Sequence, residues 1–485
     1  MSLLQFKKEL TCYFISFQVP PISSLAHTCL IQNFSIEFTL SPASVSHTAS
    51  NINTNCFLSQ CTINNDSNTC RQSQTPCFDY RTHNNRAYCA PASLCMLLEP
   101  YNNNDTCSSN ESVCVMNTCC TPASVCLPLV WTTFCLSTRT CQLSFAPMTR
   151  YTVSSHPAQI ISADLNNDSH LDLAVTNHMN NSVSILFGDG NGRFVLQTIL
   201  STQLRPIGIA VGDLNGDNQL DFVVVNSGDN TSTVYLGYSN GTFSPLISIS
   251  TGYSPYALAL GYINNDSFLD IIVANFYDDN VYVYFGDGLG NFSLPAIFQT
   301  SSQPIRIALG DFNNDNKTDI VAVNYHNHSV SILLNDGNGN FSEQTMFPTG
   351  YQPASVAISD FNNDNQVDLA VANEFSNTTS IFFGFGNGSF VLGTTLHTGI
   401  FPHIVAVGDL NNDTFADIIV TNRLSNDTNI FLGFNNGSFA PSITIPVGYY
   451  PEGVVVGDFD HDGRNDLAIA HNQENTIGII KNLCA

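Results

Sequence analysis

Asp164-Leu165-Asn166-Asn167-Asp168-Ser169-His170-Leu171-Asp172 is the first of seven related nonapeptides in a chain of 485 residues. The others begin at Asp213, Tyr262, Asp311, Asp360, Asp409 and Asp458, so every step is 49 residues. A proline keeps the same interval at Pro157, Pro206, Pro255, Pro304, Pro353, Pro402 and Pro451. An asparagine does so at Asn177, Asn226, Asn275, Asn324, Asn373 and Asn422, with His471 in the seventh copy. A fixed period of this length, kept without insertion or deletion, indicates a stacked or ring architecture.

Each unit reads as four short strands. An alternating run such as Ile207 to Val211 enters the acidic segment, and a β-branched run such as Phe222 to Val225 leaves it. A third run, Ser182 to Phe187, ends in the Gly-Asp-Gly-Asn-Gly turn at Gly188 to Gly192, and a fourth starts at Phe194. Gly and Asn there supply the positive φ of tight hairpins. Radially repeated four-stranded units make a β-propeller, and this one is expected to have seven blades in an all-β fold. The seventh copy stops after its third strand, while Ser144 to Val153 fit the pattern of a fourth. The early strand is therefore expected to complete the last blade.

Positions one, three, five and nine of each acidic segment carry oxygen side chains. In order along the chain they are Asp164, Asn166, Asp168 and Asp172; Asp213, Asn215, Asp217 and Asp221; then Asn264, Asp266 and Asp270, where Tyr262 replaces the first. Asp311, Asn313, Asp315 and Asp319 follow, then Asp360, Asn362, Asp364 and Asp368, then Asp409, Asn411, Asp413 and Asp417, and last Asp458, Asp460, Asp462 and Asp466. Calcium takes six to eight oxygens, and alternate side chains plus a main-chain carbonyl near position seven can wrap one. An Asn/Asp turn held by local hydrogen bonds is the simpler alternative. Turn chemistry alone does not require Asp at positions five and nine in all seven copies. These segments hold 21 of the 39 acidic residues, and carboxylates converging on a point repel unless a cation lies between them. Six calcium sites are expected, with a seventh, at Tyr262, weak or empty.

The Asp-x-Asn-x-Asp-x-x-x-Asp segments resemble FG-GAP and VCBS-type repeats, as found in the propeller of integrin α-subunits and in secreted adhesion-related proteins. So do the pairs Phe187-Gly188, Phe285-Gly286 and Phe383-Gly384, with Leu-Gly at 236–237 and 432–433. The resemblance covers roughly residues 144–482 and implies calcium on one face of the ring and partners on the other. The loops of that other face carry Tyr253, Phe276, Tyr277, Tyr325, Tyr351, Phe375, Phe401, Tyr449 and Tyr450. Such rings suit sugars or protein partners, or they plug the channel mouth.

Fifteen of the 16 Cys lie between Cys12 and Cys141, and the last is Cys484. A stapled region at 27–141 ahead of a propeller at 142–485 is expected, in an extracellular, secreted or surface-associated protein. Most of these cysteines fall into three groups of four, starting at Cys56, Cys89 and Cys120, which suggests tandem disulfide modules, with zinc modules as the rival. Cys141 and Cys484 share one column of the repeat. They would meet in a closed ring, unless Cys141 is used within the N-terminal region and Cys484 pairs elsewhere. Residues 1–26 read as a signal peptide or a disordered lead: Lys7 and Lys8 precede an apolar run, but Glu9 and Pro20-Pro21 interrupt the pattern. Sequons such as Asn230-Thr-Ser, Asn387-Gly-Ser and Asn436-Gly-Ser mark it as a potential glycoprotein.

A net charge of −25 with only 14 Lys and Arg argues against a nucleic-acid partner. No apolar run is long enough for a membrane span. The His residues are scattered, as at His156, His326, His328 and His403, and form no catalytic constellation. The function expected is extracellular recognition or adhesion through a protein or glycan partner, without enzymatic activity and with calcium structural. A polysaccharide lyase or hydrolase on a propeller scaffold is the alternative.

Overall fold

The computed structural model describes residues 143–484 apart from Asn265, and in the preceding region the course of a few backbone strands. The chain divides into two compact units, Met1–Thr140 and Cys141–Ala485. In the first, Phe34–Leu40 pairs with Val45–Asn51, and a separate sheet has the order Ala87–Pro91, Cys77–Arg81, Ser112–Met116, Ser124–Pro128, Glu99–Pro100. Of the three cysteine groups only the backbone of Cys77, Cys89, Cys114 and Cys126 falls in these strands; the pairing of the cysteines and the expected leader lie outside the described residues.

The second unit is a seven-bladed β-propeller of four-stranded antiparallel sheets. Blade one runs Pro157–Ala163, Asp172–Asn177, Ser182–Gly188, Phe194–Ser201, each strand paired with the next. Blades two to six repeat this plan at the 49-residue interval. Blade seven takes Pro451–Gly457, Asp466–His471 and Thr476–Ile480 from the end of the chain and Thr149–Thr152 from its other side. Ile477 faces Tyr151 in that pairing, and an isolated bridge joins Phe145 to Asn482. The first strands lie side by side around the axis, with Pro451–Gly457 against Pro157–Ala163, so the ring closes.

The second strand of every blade is wholly buried, as its near-continuous Val, Ile, Leu and Ala content requires. Apolar clusters fill the junctions between blades. Ile185 and Phe222 meet between blades one and two, and Leu173, Phe194, Phe459 and Ile477 meet between seven and one. The closing junction is thus packed like the others.

A latch recurs at each junction. Each proline of the repeat begins a first strand, and the residue before it has positive φ, from Gln352 at 50° to Phe401 at 65°. That residue's N–H donates to the second-to-third turn of the preceding blade: Arg205 to Asn181 Oδ1 at 2.9 Å, Phe401 to Asn377 Oδ1 at 2.9 Å, Tyr450 to Asn426 Oδ1 at 3.0 Å. His156 donates to Asn475 Oδ1 at 2.9 Å and so fastens blade one to blade seven. Cys484 is disulfide-bonded; the bridge expected to Cys141 lies outside the described residues.

Candidate functional site

The acidic loops join first to second strands and share one face with the third-to-fourth turns. In blade two, Asp213 accepts the N–H groups of Gly216, Asp217 and Asn218, and Asn215 Oδ1 accepts that of Asp217. These bonds curl the loop around its own carboxylates. Positive φ at Gly216 and Asn218 makes the curl, which explains the Gly and Asn at positions four and six.

Position nine has a different part. Asp221 is fully buried and accepts the N–H of Leu214 at 2.9 Å and of Gly237 at 2.8 Å, tying its loop to the end of the third strand. Asp172, Asp270, Asp319, Asp368, Asp417 and Asp466 repeat the arrangement. Burial pushes these carboxyls up, against the pull of the N–H bonds and with help from neighbouring carboxylates. Asp172, Asp319, Asp368 and Asp466 reach about 6, and Asp417 about 7. A carboxylate has about four lone-pair sites, so two N–H bonds leave room for a cation.

The Phe-Gly signature follows from the same contact. A Cβ on Gly384 would stand 2.2 Å from the carbonyl oxygen of Val367, and one on Gly237 would stand 2.1 Å from that of Leu220. In blades four and seven the position is Asn335 and Asn482, whose Nδ2 instead donates to the corresponding carbonyls of Thr318 at 3.0 Å and Asn465 at 3.1 Å.

Among the described residues, three acids gather most closely in blade seven, where ligand oxygens of Asp458, Asp460 and Asp462 lie within 4.8 Å of one another. Position three is Asp there and Asn elsewhere. Asp460 Oδ1 is buried without a hydrogen-bond partner, while Lys481 Nζ sits 3.1 Å from Oδ2. Crowded carboxylates with an unpartnered oxygen are a donor set that fits a hard divalent cation. In the third loop Tyr262 is exposed, and Asn264, Asp266 and Asp270 remain.

The opposite face carries an apolar crown. Tyr253, Tyr277, Tyr351, Phe375, Ile400, Leu424 and Tyr449 are each more than half exposed. Six of the seven come in pairs, because the N–H two places after the asparagine column bonds the carbonyl two places before the proline: Tyr277 to Tyr253, Phe375 to Tyr351, Leu424 to Ile400. Phe276, Tyr325, Phe401 and Tyr450 are partly buried instead. Phe276 packs against Tyr256 at 5.5 Å, and Tyr450 lies under the Arg423 guanidinium at 5.2 Å.

Inside the crown lies a cluster that the sequence reading did not single out. His403 Nδ1 is 2.6 Å from Glu374 Oε1 and its Nε2 is 3.3 Å from Glu452 Oε2. Arg423 reaches Glu374 at 3.1 Å and also Glu452, and Tyr325 Oη donates to Glu374 at 3.1 Å. Burial would raise the Glu452 carboxyl, but Arg423 and His403 outweigh it and bring it down to about 2. Arg306 Nη1 donates to Gln159 Oε1 at 3.2 Å, from blade four to blade one, and so spans the centre of the ring. The signal was present in the sequence: these groups directly follow the proline and asparagine columns of successive blades. Glu374, His403, Arg423 and Glu452 bind one another and tie blades five, six and seven together.

Six overlapping matches to the FG-GAP-like repeat run over 164–224, 214–273, 263–322, 311–371, 360–420 and 409–469. A search of curated proteins finds no match. Among solved structures, BBS1N in complex with ARL6DN is similar at 11% identity and TM-score 0.50, over 71% of this chain and 97% of that one. A proposed 6-phosphogluconolactonase from Bacteroides fragilis is similar at 16% identity and TM-score 0.50, over 73% and 95%. At these identities the likeness concerns the propeller fold alone. The repeat matches span most of the chain, their period is that of the blades, and the chain belongs to the FG-GAP-like repeat family.

Proposed function

We propose that this protein is a secreted or surface-associated recognition propeller, in which calcium in the acidic loops is structural and the crown of the opposite face binds an extracellular protein or glycan. The observation that carries the reading is the crown itself. Large apolar side chains more than half exposed in adjacent blades form a patch on a rigid ring, and such patches mark binding surfaces. Aromatic rings beside main-chain and Asn polar groups offer both stacking and hydrogen bonding. Calcium is supported by the Asp458, Asp460, Asp462 triad and by the unpartnered Asp460 Oδ1. Six ions are assigned, with the Tyr262 loop weak or empty for want of its first carboxylate.

The test is retention of the full chain on immobilised glycans and extracellular proteins, in millimolar calcium, with products monitored. The expected result is retention without turnover, lost in the double variant Tyr351→Ser, Phe375→Ser at unchanged melting temperature. Product formation would turn the assignment toward a carbohydrate-active enzyme. Retention indifferent to those substitutions would remove the crown from it.

A further inference from the structure

N-linked carbohydrate attaches at Asn-x-Ser/Thr, and this chain carries such sequons in many loops, so sequence alone selects none of them. The surroundings of each amide separate them. Asn240, Asn387 and Asn436 stand exposed in the third-to-fourth turns of blades two, five and six. In each, the hydroxyl residue two places on donates both its N–H and its O–H to the asparagine Oδ1. Thr242 does so at 3.1 and 2.7 Å, Ser389 at 3.0 and 2.5 Å, and Ser438 at 3.1 and 2.7 Å. No acceptor among the described residues takes the Nδ2 of any of the three. The middle residue is a glycine with φ between 71° and 79°, buried against Phe187, Leu334 or Phe383 of the preceding blade, while the asparagine beside it is exposed.

Most other sequons are committed elsewhere; Asn316, exposed in the fourth acidic loop, is held there through its N–H, which donates to Asp311 at 2.7 Å. Asn291 and Asn340 donate Nδ2 to Asp287 at 2.9 Å and Asp336 at 3.0 Å, and their middle residues, Phe292 and Phe341, pack on the core. In the acidic loops Asn167 donates to Gln219 at 2.6 Å. On the crown face, Asn230, Asn377 and Asn426 are latch residues, with Oδ1 held by the next blade. Their hydroxyl partners Ser232, Thr379 and Thr428 are wholly buried in third strands.

We propose that Asn240, Asn387 and Asn436 are the N-glycan attachment sites that the folded propeller accommodates. The proposal rests on the secreted reading above, because the donor is a polyprenyl-diphosphate-linked oligosaccharide of the secretory lumen. Asn Nδ2 bonds to the sugar C1 as the bond from C1 to the diphosphate oxygen breaks. One Nδ2 proton passes to a carboxylate of the transferase, and polyprenyl diphosphate leaves. The three sites share the acidic-loop face, so carbohydrate there leaves the apolar crown uncovered. The glycosylated face would point to solvent and the crown to the partner.

The experiment is glycopeptide mapping of the full chain, fused to a cleavable signal so that delivery to the lumen does not depend on its own N-terminus. Majority occupancy is expected at Asn240, Asn387 and Asn436, with Asn291 and Asn340 bare, and each of N240Q, N387Q and N436Q should remove one mobility step. Bare turns in the delivered protein, or equal occupancy at Asn291 and Asn340, would overturn the assignment. Release of the unfused chain into the medium tests the secreted reading separately.

Discussion

The ninth-position aspartate shows how one side chain can hold together a fold and a candidate metal loop. Asp221 is fully buried and accepts two main-chain N–H groups, those of Leu214 and Gly237. Leaving a buried donor unsatisfied costs about 1–3 kcal/mol. Asp221→Ala strands two of them, so a loss of roughly 2–6 kcal/mol is expected in denaturant unfolding with calcium chelated. Asp221→Asn keeps one acceptor and should lose less; equal losses would show that the N–H bonds are not the cause. The glycine it bonds is fixed by a close approach rather than by φ. Gly384→Ala drives a methyl against the Val367 carbonyl, which cannot retreat without disturbing Asp368, and a loss of about 1–3 kcal/mol or more is expected. Asn482→Gly, which removes a side chain already bonded to that carbonyl's counterpart, tests the converse: it should cost only its hydrogen bonds and some chain entropy.

Between elements, the latch controls how one blade follows another. Asn377 holds φ at 53° while its Oδ1 accepts the Phe401 N–H. Asn377→Ala removes the acceptor and places a less tolerant residue in the left-handed region, so about 1–3 kcal/mol should be lost, and Asn377→Gly should recover the conformational part. Unfolding of the three proteins measures both. In the closing strand, Val153 donates its N–H to Asn475 at 3.0 Å and is buried. Val153→Pro deletes the bond and part of the packing at the seam, and a loss of roughly 2–4 kcal/mol is expected. An unaffected melt would mean the seam does not limit stability. Much of this level was legible in the sequence, because a strict period turns one reading into seven: the blade count, the strand order and the buried second strands all follow from it. The latch column at Asn181, Asn230, Asp279, His328, Asn377, Asn426 and Asn475 keeps the same period, yet its chemistry varies, and only the shared left-handed φ shows why. The Glu374, His403, Arg423 and Glu452 cluster keeps the period in position, with 49 residues from Glu374 to Arg423 and from His403 to Glu452, but the residue types at those positions change from blade to blade. It depends on three blades facing one centre, and separations of 20 to 49 residues along the chain say nothing of that.

At the scale of the ring, the proposed calcium and the proton would compete for the same loops, with effects of opposite sign. Burial raises all seven position-nine carboxyls above an ordinary 3.8, and five of them, Asp172, Asp319, Asp368, Asp417 and Asp466, are pushed up to about 6 or about 7. The folded chain therefore binds more protons than the unfolded chain between those limits, and stability without calcium should rise as pH falls from about 7 to about 4. Relief of the net charge of −25 acts in the same direction. On the proposed calcium occupancy, the ion would take the place of those protons at neutral pH. With free calcium at one to ten times Kd, each site contributes about 0.4–1.4 kcal/mol, and six sites together roughly 2–8 kcal/mol. Chelation at neutral pH should thus lower the melting temperature well beyond scatter. Acidification should destabilise the calcium-loaded protein as it releases the ion while stabilising the chelated one, so the two melting curves converge. Melting scans at about pH 7 and about pH 5, with calcium and with chelator, read all four states. A chelated protein that melts lower at the acid pH would contradict the raised carboxyls, and a calcium increment that does not shrink there would detach the ion from these loops.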